Sequence, residues 1–450
     1  MRKNRFRFKA IWGKIGIMKK RLIGSLLLII LLAGNSFAMT LKESIDVALK
    51  NNPSVIAAQK KAAAAGARLN QAVGAFFPTV KISGSYSDLH SDPQVMQVTF
   101  GGTTQNLSIS SATTSKSLAA TVSQPLLQAG LLPGFKMAQR ASDAADQDLQ
   151  KAIRDTAYEV TSAYFGVLSA DKLTKVAEDS LKLARSHLDQ VQAMLDSGVV
   201  TKADLLRAEV QVANSEVALT KARNNFELAK DSFNNVLGKG IDEPVVLSET
   251  PQSDMPALPD YPSLLKTAYD NRPDWKGFSY SRNIAEENLS LARTAYFPSI
   301  NLNGQIGNQI TDYPDYESNI NSWSVTGVVS WTLFDGLGIQ NRIREAAANL
   351  DAQRASEDQV RSSIALDVRN AYLNLKSVIE TIGSAKKAVA FAEENYKVSS
   401  LRFSSGVGTN IEVIDAQVAF AQAKTDYLNA IFGLEIAKAR VNKAVGQEVI

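Results

Sequence analysis

Residues 75–87 read AFFPTVKISGSYS, and residues 295–307 read AYFPSINLNGQIG. Each is the end of a helical stretch, a proline and then an alternating strand, so the chain makes the same helix-to-strand switch twice. At an offset of 220, Ala48, Asn51, Pro53, Ala65, Leu69, Ala72, Ala75, Phe77, Pro78 and Gly84 meet identical residues. From Val160 to Gly238 the matches continue at an offset of 208. The chain is a tandem duplication, and its fold must be built from two like halves. The change of offset falls between residues 88 and 116, in HSDPQVMQVTFGGTTQNLSISS, whose polar Gly/Ser/Thr composition reads as an exposed loop. Loops are expected over 89–114 and 309–321.

Both halves share one plan. The first spans 39–237, the second 261–450, and 238–260 links them. Thr40-Leu41-Lys42-Glu43 has the pattern of a capping box. A helix then runs from Pro53 to about Phe77, where Pro78 stops it. Strands are expected over 79–89 and 115–127, followed by a helix over 135–197 and another over 202–237. The second half repeats this with strands over 299–309 and 322–334 and helices over 339–404 and 409–445. A helix over 135–197 would be roughly 95 Å long at 1.5 Å per residue. Helices of that length do not belong to a compact globule.

The strands alternate. Val80, Ile82 and Tyr86 lie on one face of the first, and Ile300, Leu302 and Ile306 on one face of the third. In WSVTGVVSWTL, Trp323, Val325, Val329, Trp331 and Leu333 oppose Ser324, Thr326, Ser330 and Thr332. About ten residues of this pattern suit a strand with one face in lipid and the other in a watery lumen. Trp323 and Trp331 would stand about 20 Å apart along the membrane normal, plausible for two aromatic girdles.

Residues 1–38 support a membrane destination. They hold nine Lys/Arg and no acid, then the apolar run LIGSLLLIILLAG and the small-x-small site Ser36-Phe37-Ala38. This is the form of an export signal, with Met18 as an alternative start. Without it the formal charge falls from +4 to −5, which gives a nucleic-acid partner no electrostatic support. The chain has no cysteine, so disulfides and thiolate chemistry are excluded. Its two histidines, His90 and His187, lie in no metal-ligand spacing and read as solvated polar residues. No phosphate-binding glycine motif is present, so neither an enzyme nor a cofactor is expected.

Four strands cannot close a barrel, and open edges in hydrocarbon leave backbone groups unsatisfied at several kcal/mol each. Three copies would supply twelve strands. The expected fold is mostly α with a membrane β-barrel: a duplicated protomer of a trimeric twelve-stranded barrel joined to a long helical barrel.

LKESIDVALKNNP, the paired FFP and YFP switches, and the two turns SGVVTKADLLRAEV and SGVGTNIEVIDAQV resemble the TolC family of outer-membrane efflux proteins over nearly all of the mature chain. The resemblance implies a homotrimer in outer-membrane lipid whose helices cross the periplasm. It also implies an exit duct, docked to a periplasmic adaptor and an inner-membrane pump of the RND, ABC or MFS type. Phe77, Pro78, Phe297 and Pro298 would then mark where tunnel becomes barrel. Gly198, Thr201, Gly406, Gly408 and Thr409 would form the tip turns that meet the adaptor. Asp204, Glu412 and Asp415 fall at the family's acidic aperture positions, although Asp204 and Glu412 also read as capping-box acids. Where the family's second tip can carry an arginine this chain has Gly408, with Lys202 as the nearest basic substitute. The alternatives are the outer-membrane component of type I protein secretion, or an exported coiled-coil scaffold or adhesin. The scaffold leaves the alternating strands and their tryptophans unexplained.

Overall fold

The computed structural model describes residues 38–90, 92, 94–109, 113–248, 257–313 and 316–448. The export segment lies outside these residues except for Ala38. Helix α1 (Leu41–Asn51) opens on the Thr40 capping box: the Glu43 carboxylate accepts the Thr40 N–H at 2.8 Å, and the Thr40 hydroxyl accepts the Glu43 N–H at 3.3 Å. Asn52 ends α1 and caps α2 (Pro53–Gly74), with its side-chain oxygen accepting the Ser54 N–H at 2.8 Å. In the second half Arg272 stands at the same joint, between α5 (Tyr261–Asn271) and α6 (Pro273–Thr294). The proline that follows each joint keeps the joint residue extended and starts a new helix.

The long helices are α3 (Leu131–Asp196) and α7 (Gly338–Ser404), 66 and 67 residues, each about 100 Å long. Their partners are α4 (Lys202–Leu237) and α8 (Asn410–Val445). Helix α3 starts four residues before the expected 135, running through Pro133, because proline in a first turn has no intrahelical bond to lose.

Four strands form one antiparallel sheet in the order β1-β4-β5-β6: β1 (Thr79–Leu89), β4 (Thr113–Leu127), β5 (Ser299–Asp312) and β6 (Glu317–Ser330). Its free edges are β1 and β6. Between β1 and β4 the expected loop holds a separate hairpin, β2 (Gln94–Phe100) with β3 (Thr103–Ile109). It turns on Gly101 and Gly102, both at positive φ (60° and 86°), as a type I′ hairpin turn requires. The second loop is expected over 309–321, but β5 continues to Asp312 and β6 runs 317–330 rather than 322–334. Apolar alternation stops near Ile306, but Asn308, Gln309, Asn319 and Asn321 still pair through their backbones. Ladder bonds do not depend on an apolar side chain. Trp331 to Phe334 fall outside the ladder because β5, beginning at Ser299 opposite Ser330, offers them nothing to pair with.

Helix α3 packs on α2 and α6 nearer the sheet, and on α4 and α8 further away; α7 packs on α6 and α8. Three apolar clusters hold these contacts. One gathers Ile45, Val160, Tyr164, Phe165, Phe233 and Leu237; its counterpart in the second half gathers Val368, Leu375, Leu434, Val441 and Val445. Val160 and Leu237 match Val368 and Val445 at the offset of 208. Each fully buried side chain of this size contributes about 1.5–3 kcal/mol. The third cluster, with Val191, Leu205, Ala208, Phe403 and Val413, joins the two helical hairpins near their turns.

The halves also close alike. Asn52 donates to the Val236 carbonyl at 2.8 Å, and Arg272 to that of Ala444 at 3.0 Å, so both joints clasp the end of a hairpin helix. Just beyond stand Gly238 and Gly446, at φ +71° and +72°. Among the described residues no helix is long and apolar enough to cross a membrane.

Candidate functional site

The residues singled out by sequence fall at the two ends of the molecule. At the far end of the helices, α3 finishes in a Schellman turn. Gly198 takes φ +72°, its N–H reaches the Leu195 carbonyl at 2.9 Å, and the Val199 N–H reaches that of Met194 at 2.9 Å. Helix α7 ends the same way, with Gly406 at +75° bonded to Phe403 and Val407 bonded to Arg402, each at 3.0 Å.

Two residues on, the turns differ. Val200 packs against the tip cluster, whereas a Cβ on Gly408 would lie 2.9 Å from the Phe403 nitrogen. The Gly408 N–H also bonds the Arg402 carbonyl at 3.0 Å. This close approach leaves no room for any side chain, arginine included.

Thr201 and Thr409 begin α4 and α8 with full capping boxes. The Asp204 carboxylate accepts the Thr201 hydroxyl at 2.7 Å and its N–H at 3.1 Å, and Arg207 stands 3.8 Å away. The Thr201 bonds, helped by Arg207, hold the Asp204 carboxyl below its ordinary pKa. Glu412 caps Thr409 and lies 3.9 Å from Arg402. Asp415 is exposed and makes no ion pair among the described residues. Lys202 is exposed as well and pairs with none of these acids. Within this copy the basic group beside Glu412 is Arg402. It sits ten residues before Glu412 in sequence, but the tight turn folds it back onto the first turn of α8.

His187 overturns the expectation of a solvated side chain. It is 4% exposed, with its ring 5.1 Å from that of Phe403 and its Nε2 2.7 Å from the Asn410 amide oxygen. Asn410 in turn donates to the Asp204 carbonyl at 2.8 Å. Helical spacing alone could have placed His187 inward: Ala184, His187 and Val191 are all buried at i, i+3 and i+7.

At the other end the register fixes the sheet's two faces. Val80, Val122, Gly304 and Val325 form one row across the four strands, and Ile82, Ala120, Ile306 and Trp323 the next on the same side. The rows on the opposite side are Lys81, Thr121, Gln305 and Ser324, then Ser83, Ala119, Gly307 and Ser322. Beyond Trp323 the apolar side turns polar, with Asn308, Asn321 and the Lys116–Asp312 ion pair at 3.2 Å. At the band's lower edge Trp331 donates its indole N–H to the Tyr296 carbonyl at 3.1 Å. Phe77 and Phe297 are 61% and 63% exposed beside the prolines of the two switches. An apolar belt with an aromatic at each rim, on a sheet polar on its reverse, is the surface of a membrane strand.

A four-stranded membrane sheet standing on 100 Å helices defines the class: an outer-membrane channel protein with a periplasmic helical stem. The sequence profile of the family described as outer membrane efflux protein matches residues 44–239 and 264–447, and the chain belongs to that family. The outer membrane protein TolC of Salmonella enteritidis is 23% identical over 347 residues, 75% of this chain and 70% of that protein. Protein CyaE of Bordetella pertussis is 23% identical over 389 residues, 86% of this chain and 79% of that one. Among solved structures, CusC superposes with a TM-score of 0.77 at 18% identity, covering 90% of this chain and 92% of the other. The open state of the MtrE outer membrane channel of Neisseria gonorrhoeae gives 0.75 at 20% identity, with coverage of 91% and 89%. The protein is an outer-membrane efflux channel.

Proposed function

We propose that three copies close edge to edge into a twelve-stranded barrel and a helical tunnel, the exit duct of a tripartite efflux system. The observation that carries this is the pair of unfinished edges on each copy. Strands β1 and β6 have backbone groups with no ladder partner, on a sheet whose apolar face requires lipid. The edge helices carry matching exposed stripes: Leu206, Val210, Val217 and Leu228 on α4, and Leu366, Leu373, Phe391, Val398 and Leu401 on α7. Another copy satisfies both. The driving force comes from outside, from an inner-membrane pump reached through a periplasmic adaptor at the tip turns. Relatives bearing pump names, such as the toluene efflux pump outer membrane protein TtgC of Pseudomonas putida, support that partnership.

In such a trimer Asp204, Glu412 and Asp415 form rings of three at the periplasmic aperture, where acids favour cations. Capping and lining are compatible roles, since each capping box uses one carboxylate oxygen most strongly. In planar bilayers the triple variant Asp204→Ala, Glu412→Ala, Asp415→Ala is expected to lose cation selectivity or to gain conductance. A triple variant that selects and conducts as the wild type does would leave the acids as caps only.

A further inference from the structure

We propose that His187 is a proton-sensitive strap between the two tip hairpins: neutral and buried, it ties α3 to α8 through Asn410, and protonation lets the tips part. The proposal rests on the channel reading above and assigns the aperture a trigger.

The strap is a relay of three groups. Asn410 is 3% exposed, and its amide nitrogen is committed to the Asp204 carbonyl. Its oxygen is therefore the atom 2.7 Å from the imidazole, so Nε2 must carry the hydrogen and donate. One asparagine thus draws α3, α4 and α8 together, and Phe403 of α7 closes over the ring edge-to-face. Seven residues along each helix lies a second polar tie, from the Gln417 side-chain nitrogen to the Ser180 carbonyl at 2.9 Å. Gln417 is 1% exposed, yet its amide oxygen has no partner. A buried acceptor left unsatisfied weakens a seam otherwise well packed. The α3–α8 seam is directional and under-fastened, suited to separating.

The duplication shows that the strap is particular to this seam. At the offset of 208, Asn410 corresponds to Lys202 and His187 to Asn395, both exposed. The equivalent seam between neighbouring copies would bring α7 to α4 with no imidazole. A trimer would thus alternate strapped and unstrapped seams around its ring.

No carboxylate steadies a charge on the ring. Each surrounding element carries charges, and they are engaged elsewhere or turned to water. On α3, Arg185 pairs with Glu216 at 2.7 Å, while Lys182 and Asp189 make no bond to the ring. On α4, Asp204 is held by Thr201 and Arg207 and also interacts with the Asn410 side chain, so its charge meets the relay at that amide and not at the ring, and Lys202 is exposed. On α7 and α8, Arg402 lies beside Glu412, and Asp415 is exposed. Burial accordingly pushes the His187 pKa down, only partly opposed by the Asn410 bond. Once the tips part and water reaches the ring, its pKa returns to about 6.5. The parted state then binds more protons, so the joined state holds its full advantage above that value and loses it as pH falls through it. Each unit between the two pKa values is a tenfold shift in the balance.

Planar-bilayer conductance of the purified protein at about pH 8 and about pH 5 tests this across the histidine range. Wild-type conductance is expected to rise several-fold on acidification. His187→Gln keeps a donor for Asn410 but cannot titrate, and its conductance is expected to stay flat. The chain has no cysteine, so spin labels on Val199→Cys and Val407→Cys report the distance between the tips directly. That distance should widen at the lower pH with His187 and not with the glutamine. Equal wild-type conductance at both values, a rise that survives in His187→Gln, or an unchanged label distance would each overturn the strap. A protein forming no channel at either pH would fail the channel reading itself, and the strap with it.

Discussion

Gly446→Ala and Gly238→Ala are expected to destabilise the detergent-extracted protein by about 3 kcal/mol or more each, seen as a large fall in its melting temperature. Two effects combine. Both positions need left-handed backbone, which costs an alanine about 1 kcal/mol. A Cβ would also meet backbone that cannot yield: 2.5 Å from the Asn51 oxygen at Gly238, and 2.8 Å from the Arg272 nitrogen at Gly446. Gly198→Ala is the control. Its φ of +72° is the same, but nothing lies within 4 Å of its Cβ, so only the conformational cost of about 1 kcal/mol remains. Equal melting shifts for all three variants would mean that the hairpin ends do not press on the helix joints.

Val325→Arg and Ser324→Arg are neighbours in sequence with opposite expected outcomes. Val325 lies on the apolar row of β6 with Val80, Val122 and Gly304, and Ser324 on the polar row with Lys81, Thr121 and Gln305. An arginine on the lipid face costs about 2–4 kcal/mol near the bilayer midplane, and the proposed trimer would carry three. Val325→Arg should therefore yield little assembled protein in the outer membrane. Ser324→Arg should assemble and shift the pore toward anions. A normal yield of the Val325→Arg protein would show that the two faces are reversed.

Much of the architecture is written locally. The joints at Asn52 and Arg272, the switches at Pro78 and Pro298, and the tip glycines are set by prolines, caps and positive φ, each visible in a few residues. What was hidden depended on pairing or folding back. Gly101-Gly102 between two modest alternating runs signalled a hairpin, but the polar composition around it read as loop. The polar ends of β5 and β6 looked like loop because their side chains are hydrophilic, although the ladder continues beneath them. At the tips the capping acids were legible from Thr201 and Thr409. That Arg402 meets Glu412, and that Gly408 is too crowded for a side chain, follow only from how closely each turn returns on its own helix. The inward place of His187 was legible in its helical spacing with Ala184 and Val191, but its partner Asn410, 223 residues away on the other half of the duplication, was not.

The claim on which the rest depends is that this sheet and these helices are one third of a closed duct. Counting chains in the detergent-extracted protein by native mass measurement tests it most directly. Three chains per particle are expected, since four strands from each give twelve and leave no open edge. A stable monomer or dimer retaining its folded sheet would contradict it.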